Sequence, residues 1–191
     1  MVEIRSVVSH VLSQLGTSRE ARYYLKQYSS DAELQFAVIK IGGAVLEEEV
    51  ESLASALAFL RNLGLMPIIL HGAGPQLDVA LQEASIETVK RKGLRVTTPE
   101  VMEVARPVIY RANRRLVNAL DEQGVRAQGI QHGVFVCDYL DREDFGLVGD
   151  IRKVDLEAVR DVVHRGILPV VACLGESATG QVMNINADIA A

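Results

Sequence analysis

Short apolar runs alternate with stretches whose apolar residues recur at helical spacing along most of the chain. Phe36-Ala37-Val38-Ile39-Lys40-Ile41 reads as a buried strand, and Gly42-Gly43 follows it. Glu47, Glu48 and Glu49 then open a helix, where carboxylates suit the positive end of the dipole. Val50, Leu53, Leu57 and Leu60 stripe that helix, and Gly64 ends it. Met66 to His71 is a second strand, His71-Gly72-Ala73-Gly74 a loop, and Pro75 a natural first helical residue. Strand, short loop and helix in repeated succession require parallel strands joined by right-handed crossovers. The expected class is α/β: a three-layer helix–sheet–helix sandwich with a mainly parallel central sheet.

The polar stretch from Glu87 to Thr97 suits a hairpin. Thr98-Pro99 starts a long helix that runs to about Asp121 and stops at Gly124, with Pro107 expected to kink or split it. Val125 to Val148 reads as short strands and turns. Asp155 caps a helix with Leu156, Val159 and Val162 on one face, Gly166 closes it, and Ile167 to Cys173 is another buried strand. Residues 1–31 differ in pattern. Val2, Val7, Val8, Val11, Leu12 and Leu15 lie near helical spacing up to Gly16, and a second helix follows from Ser18 through Tyr28. The division expected is a helical N-terminal arm over 1–31 and an α/β unit over 32–191.

Composition narrows the function classes. The 191 residues carry 20 Lys and Arg against 25 Asp and Glu, a net charge of −5, and 49% are hydrophobic. Disorder is excluded as the main state. A pI near 5.4 gives no basic footprint for nucleic acid. An aromatic content of 5% with no Trp argues against a base-stacking surface. The longest uncharged stretch, Asn62 to Leu77, is broken by Gly64, Pro67, Gly72, Gly74 and Pro75, which argues against a membrane span. Cys137 and Cys173 are too few for a disulfide framework and point to a reducing compartment, hence a cytoplasmic protein.

Four elements can carry chemistry. Lys40, near the end of a strand and followed by Gly42 and Gly43, offers a charge and open backbone N–H groups to an anion. Taken by itself the element is first a strand-end turn with a solvated lysine. His71-Gly72-Ala73-Gly74-Pro75 repeats the arrangement but lacks the third glycine of a dinucleotide fingerprint. Two such loops at the carboxyl ends of neighbouring parallel strands carry more weight, because open α/β sheets bind ligands along that edge. Arg95 in Gly93-Leu94-Arg95-Val96-Thr97 is either a solvated hairpin arginine or a clamp for a carboxylate. Asn184-Ile185-Asn186-Ala187-Asp188 either caps a helix or adds amide and carboxylate groups to the same edge.

In order, VIKIGGAVL, LHGAGPQLD, GLRVT, GLVGDI and NINADIAA closely resemble the amino-acid kinase family. Within it they are nearest the acetylglutamate kinases, in particular the kinase domain of bifunctional synthase/kinases. The resemblance spans about Phe36 to Ala191, and Thr17 to Leu25 is similar to the leading segment of the fused type. It implies that Lys40 neutralises the transferred phosphoryl group. Gly42, Gly43, Gly72 and Gly74 would bring backbone to the phosphates and the reacting carboxylate. Ala73 stands where the family more commonly has glycine, which is tolerable only at negative φ. Arg95 and Asn184 would hold the α-carboxylate of N-acetyl-L-glutamate, and Asp188 would orient the active-site lysines.

The implied reaction transfers the ATP γ-phosphate, with Mg2+, to the γ-carboxylate of N-acetyl-L-glutamate. A carboxylate of pKa ~4 is ionised at neutral pH, so no general base is needed. No protein metal ligand is implied, and a homo-oligomer is expected from the amphipathic arm. Kinases of this type continue beyond the NINAD element into a nucleotide-binding part. The expectation is that this chain stops short of it and is inactive alone. An aspartate, glutamate or carbamate kinase, and a non-catalytic acetylglutamate-binding or oligomerisation module, remain as the other readings.

Overall fold

The structure is a computed structural model that describes residues 36–191. The helical arm expected over 1–31 lies outside them. The first sheet has four parallel strands, in the spatial order β1 (Phe36–Ile41), β2 (Met66–His71), β8 (Leu168–Ala172) and β5 (Ala127–Ile130). Between β1 and β2 run α1 (Gly43–Glu48) and α2 (Val50–Asn62), and α3 (Gly74–Glu83) follows β2. The hairpin β3 (Lys90–Arg91) and β4 (Leu94–Arg95) leads into α4 (Pro99–Glu122).

Strand alternation sends neighbouring residues to opposite faces. Ile69 and its cross-strand partner Val170 join one core cluster with Leu57 of α2 and Leu116 of α4. Leu70 and its partner Val171 join a second cluster with Val159, Val162 and Val163 of α6 (Glu157–His164). Both faces of the sheet are therefore covered, as a parallel sheet requires, and the layered sandwich read from the sequence is present.

A second four-stranded sheet occupies the carboxyl end of the chain. Its order is β10 (Val182–Asn184), β9 (Leu174–Glu176), β6 (Phe135–Tyr139) and β7 (Gly149–Val154). The short α5 (Arg142–Phe145) sits between β6 and β7, and α7 (Ala187–Ala190) follows β10. This sheet matters for position. The Asn184 backbone N–H donates to the Leu147 carbonyl at 2.9 Å, and the Leu147 N–H donates to the Thr97 carbonyl at 2.6 Å. Residues far apart in sequence are thus fastened around the end of β4.

Four expectations need correction. β1 is an edge strand rather than a buried one: Val38 is 52% exposed, Lys40 is exposed, and of residues 37–41 only Ile41 is buried. Glu47 and Glu48 end α1 rather than opening a helix. The chain breaks at Glu49 (φ −134°), and only Glu51 lies in the first turn of α2. α4 runs unbroken through Pro107, because Pro107 and Glu103 both face solvent and water can satisfy the carbonyl that Pro107 leaves without an N–H. Leu156 rather than Asp155 holds the N-cap position of α6 and is exposed, Asp155 Oδ1 accepting from the Glu157 N–H at 3.1 Å one residue earlier, and the buried face is Val159, Val162 and Val163.

Candidate functional site

The carboxyl ends of β1, β2 and β8 present their following segments along one edge of the sheet. The two glycine loops there are pressed together. A Cβ on Gly43 would stand 2.9 Å from the Gly74 nitrogen and 2.9 Å from Pro75 Cδ, so only glycine permits this approach. Gln76 Nε2 donates to the Gly43 carbonyl at 2.6 Å, and the Gly72 N–H donates to the Ile41 carbonyl at 3.1 Å. Gly42 and Gly74 are different. A Cβ on either would meet nothing within 4 Å, so both leave open space above the backbone. Ala73 has φ −144°, which a side chain accepts, and its methyl is buried in the core with Leu77.

Beside the second loop is a cleft of about 300 Å³. Gly72, Ala73, Gly74, Arg95, Asn184 and Asp188 all line it. Lys40 joins it through Asp188: the Lys40 ammonium lies 2.6 Å from Asp188 Oδ1. Gly42 and Gly43 are outside the cleft wall, and Gly43 meets the second loop through its contact with the Gly74 nitrogen. The Asn186 side chain accepts from the Asp188 N–H at 2.8 Å and so caps α7. Both readings of the NINAD element hold at once, since its first Asn faces the cleft and its second caps the helix.

Arg95 is 8% exposed, and its guanidinium is only half used. Nη2 donates to Asp78 Oδ1 at 2.5 Å. Nη1 is buried with no partner among the described residues. A buried cationic N–H left open in a cleft wall calls for an anion, because leaving it unmade costs about 1–3 kcal/mol or more. Asn184 Nδ2 donates to Thr97 Oγ1 at 3.1 Å, and the Thr97 hydroxyl donates to the Arg95 carbonyl at 3.0 Å. The fully buried Thr97 therefore couples the two candidate ligand residues.

His71 also lines the cleft, as a buried neutral ring. It is fully buried, and desolvation lowers its pKa from 6.5 to about 4, against a smaller raising effect of its bond to the Gly72 carbonyl. Asn113 Nδ2 approaches His71 Nε2 at 3.0 Å and donates to the Val170 carbonyl at 2.9 Å. An amide donor at Nε2 assigns the neutral ring with its proton on Nδ1. Cys173 lines the cleft, and burial pushes its thiol up to about 12, Lys40 opposing and Asp188 reinforcing the shift. It is a protonated wall residue. Burial likewise pushes Cys137 up to about 11.

The sequence reading missed Asp78, Thr97, Gln76 and Asn113. Asp78 and Gln76 lay inside the LHGAGPQLD segment and Thr97 inside GLRVT, so proximity to a candidate residue was the available signal. Asn113 carried none, because an Asn in mid-helix is ordinarily solvated.

Residues 35–191 match the model of the amino acid kinase family. The chain is 45% identical over 177 residues to a protein of Xanthomonas campestris pv. campestris named acetylglutamate kinase, covering 93% of this chain and 42% of that one. It is 43% identical over 187 residues to Protein ARG5,6, mitochondrial, of Candida albicans, covering 98% and 22% respectively. The chain thus spans less than half the length of these relatives. The structure also superposes on an N-acetylglutamate synthase from Neisseria gonorrhoeae complexed with coenzyme A and N-acetyl-glutamate. That match has a TM-score of 0.74 at 25% identity and covers 91% of this chain and 42% of that one. Glycine loops on adjacent parallel strands, a lysine beside them and an open arginine in the facing wall agree with the match over residues 35–191: the chain belongs to the amino acid kinase family.

Proposed function

We propose that the chain is the acetylglutamate-binding part of an acetylglutamate kinase, within a longer synthase/kinase polypeptide. The observation that carries this reading is the unpartnered Nη1 of Arg95 in the cleft wall. The α-carboxylate of N-acetyl-L-glutamate would receive that N–H, with Asn184 beside it. The γ-carboxylate would lie toward the glycine loops and Lys40. One γ-carboxylate oxygen attacks the γ-phosphorus of ATP, a P–O bond forms, and the bond to the bridging oxygen of ADP breaks. No proton moves. Lys40 and the loop N–H groups offset charge on the transferring group, and Asp188 holds the Lys40 ammonium in place. Mg2+ would travel with ATP, held chiefly by the phosphates.

The relatives' greater length supports a nucleotide-binding part outside these residues. Calorimetry on the 191-residue chain tests this. N-acetyl-L-glutamate should bind and ATP should not bind tightly. Tight ATP binding without acetylglutamate binding would overturn the assignment.

A second reading, a non-catalytic acetylglutamate-binding or oligomerisation module, is favoured by the likeness to the synthase structure. Lys40 separates the two, since a binding module has no use for a cation at the phosphoryl position. We also propose a homo-oligomer built through residues 1–31. Removing Met1 to Ser30 should lower the mass in solution, and an unchanged mass would refute it. No described helix is long and apolar enough to cross a membrane. The proposed compartment is the cytoplasm, and the name of the Candida relative makes a mitochondrial location the other outcome of fractionation.

A further inference from the structure

One carboxylate behind the cleft has cationic partners on two strands. Asp78, on α3, accepts from Arg95 Nη2 through Oδ1 at 2.5 Å and from Lys90 Nζ through Oδ2 at 3.1 Å. Lys90 and Arg95 are direct cross-strand partners in the β3–β4 hairpin. A single side chain thus ties both strands to α3.

The hairpin needs such a fastening. Each strand contributes two paired residues, and an isolated two-stranded hairpin is marginal in water. Its turn, Lys92-Gly93, holds both residues at positive φ, 51° and 80°, so a lysine occupies a conformation that glycine adopts more freely. Arg91 to Asp144 at 2.8 Å and Lys90 to Asp78 at 3.1 Å both join largely exposed side chains, and exposed pairs contribute little, so the bond of Asp78 to the buried Arg95 carries most of the fastening.

Arg95, Lys90 and Gly93 line the cleft, and Asp78 does not. Asp78 therefore acts on a ligand only through its partners. It occupies the Nη2 side of the guanidinium and leaves Nη1 free. Asp78 stands on the Nη2 side, so a carboxylate that engages the buried Nη1 need not displace it. Burial pushes the Asp78 carboxyl up, but the bonds and charges of Arg95 and Lys90 outweigh this and hold it below its ordinary value. The clamp is therefore ionised at neutral pH.

We infer that Asp78 is a positioning residue that locks the β3–β4 hairpin onto α3 and aims Arg95 Nη1 into the cleft to receive a carboxylate. The second half rests on the reading of the cleft as an acetylglutamate site. The contrary picture makes Asp78 an internal competitor that a ligand must expel, and the two pictures predict opposite signs.

The test is Asp78→Asn in the 191-residue chain, with two readouts. Amide hydrogen exchange follows the hairpin, above all the Val96 N–H bonded to the Val89 carbonyl at 2.8 Å. Calorimetry follows N-acetyl-L-glutamate. The expected result is faster hairpin exchange with unchanged protection in α4. The Kd should rise on the order of tenfold, the scale of one weakened charge-assisted contact. Unchanged hairpin exchange overturns the lock whatever the ligand does. Unchanged or tighter binding overturns the aiming role, and tighter binding identifies a competitor. If the wild-type chain fails to bind N-acetyl-L-glutamate, the carboxylate-site reading falls, and hairpin exchange still decides the clamp.

Discussion

The Lys40 ammonium lies 2.6 Å from the Asp188 carboxylate, joining a strand at one end of the described chain to a helix at the other. The side chains are 33% and 71% exposed, so the pair contributes little to stability. Its consequence is placement, since Lys40 is held beside the cleft rather than ranging through solvent. In the complete enzyme, Lys40→Ala should lower kcat by about 10²–10³-fold, the scale of removing one preorganised cationic or N–H donor at a developing charge. The KM for acetylglutamate should change little. Near-normal turnover would remove Lys40 from the mechanism.

Arg95→Ala should act on the other parameter. Losing a charged hydrogen bond of about 1.5–3 kcal/mol should raise the KM for acetylglutamate by roughly 10- to 150-fold and leave the KM for ATP near its starting value. Steady-state kinetics with each substrate varied in turn decides it. A rise confined to the ATP KM would sink the assignment.

The sequence made the frame legible because burial and local chemistry agreed. The bounds of β1 and β2 fall on Phe36–Ile41 and Met66–His71 as read, since apolar runs ended by glycine admit little else, but the edge position that exposes Val38 in β1 was not legible. α4 starts at Thr98-Pro99 as read, and the structure adds that the Thr98 side chain caps it by accepting from the Val101 N–H. The break at Glu49 was not legible, because three successive glutamates fit a helix start by dipole and a helix end by tertiary packing alike. In the site, the glycine loops stood out by residue type and position, whereas Arg95 and Asn184 were singled out by the family resemblance, their residue types alone leaving a solvated arginine and a helix cap open. Asp78 did not stand out. A carboxylate four residues beyond Gly74 acquires meaning only when a hairpin closes over it, and that juxtaposition is made by packing.

The two glycines of the first loop should part company on mutation. Gly43→Ala places a methyl against the Gly74 nitrogen and Pro75 Cδ, both at 2.9 Å, and against the Gln76 side chain. The loops must separate, at a cost of about 1–3 kcal/mol, seen as a lower denaturant midpoint. Gly42→Ala meets open space at φ −71° and should stay within about 0.5 kcal/mol of wild type. If the proposed phosphate role of Gly42 holds, the same variant should weaken nucleotide-dependent turnover in the complete enzyme, because its methyl enters the open space above the loop. Equal stability losses in the two variants would show that the loops are not in contact.

His71 should make the fold acid-sensitive in a defined window. Its pKa is lowered from 6.5 to about 4 by burial, so between these values the unfolded chain binds a proton that the folded chain refuses. Stability from this group is complete above about pH 6.5 and is lost progressively as pH falls toward 4, by about 3 kcal/mol in all. Asp78, also lowered, adds its own loss only below its unfolded value of 3.8, so the two windows separate. Urea midpoints across pH 4 to 7 should therefore fall on acidification in the wild-type chain. In His71→Gln, which keeps a polar group near Asn113 but cannot titrate, the midpoint should start lower and vary much less over the same range. An unaltered slope in that variant would show that the acid sensitivity belongs to another group.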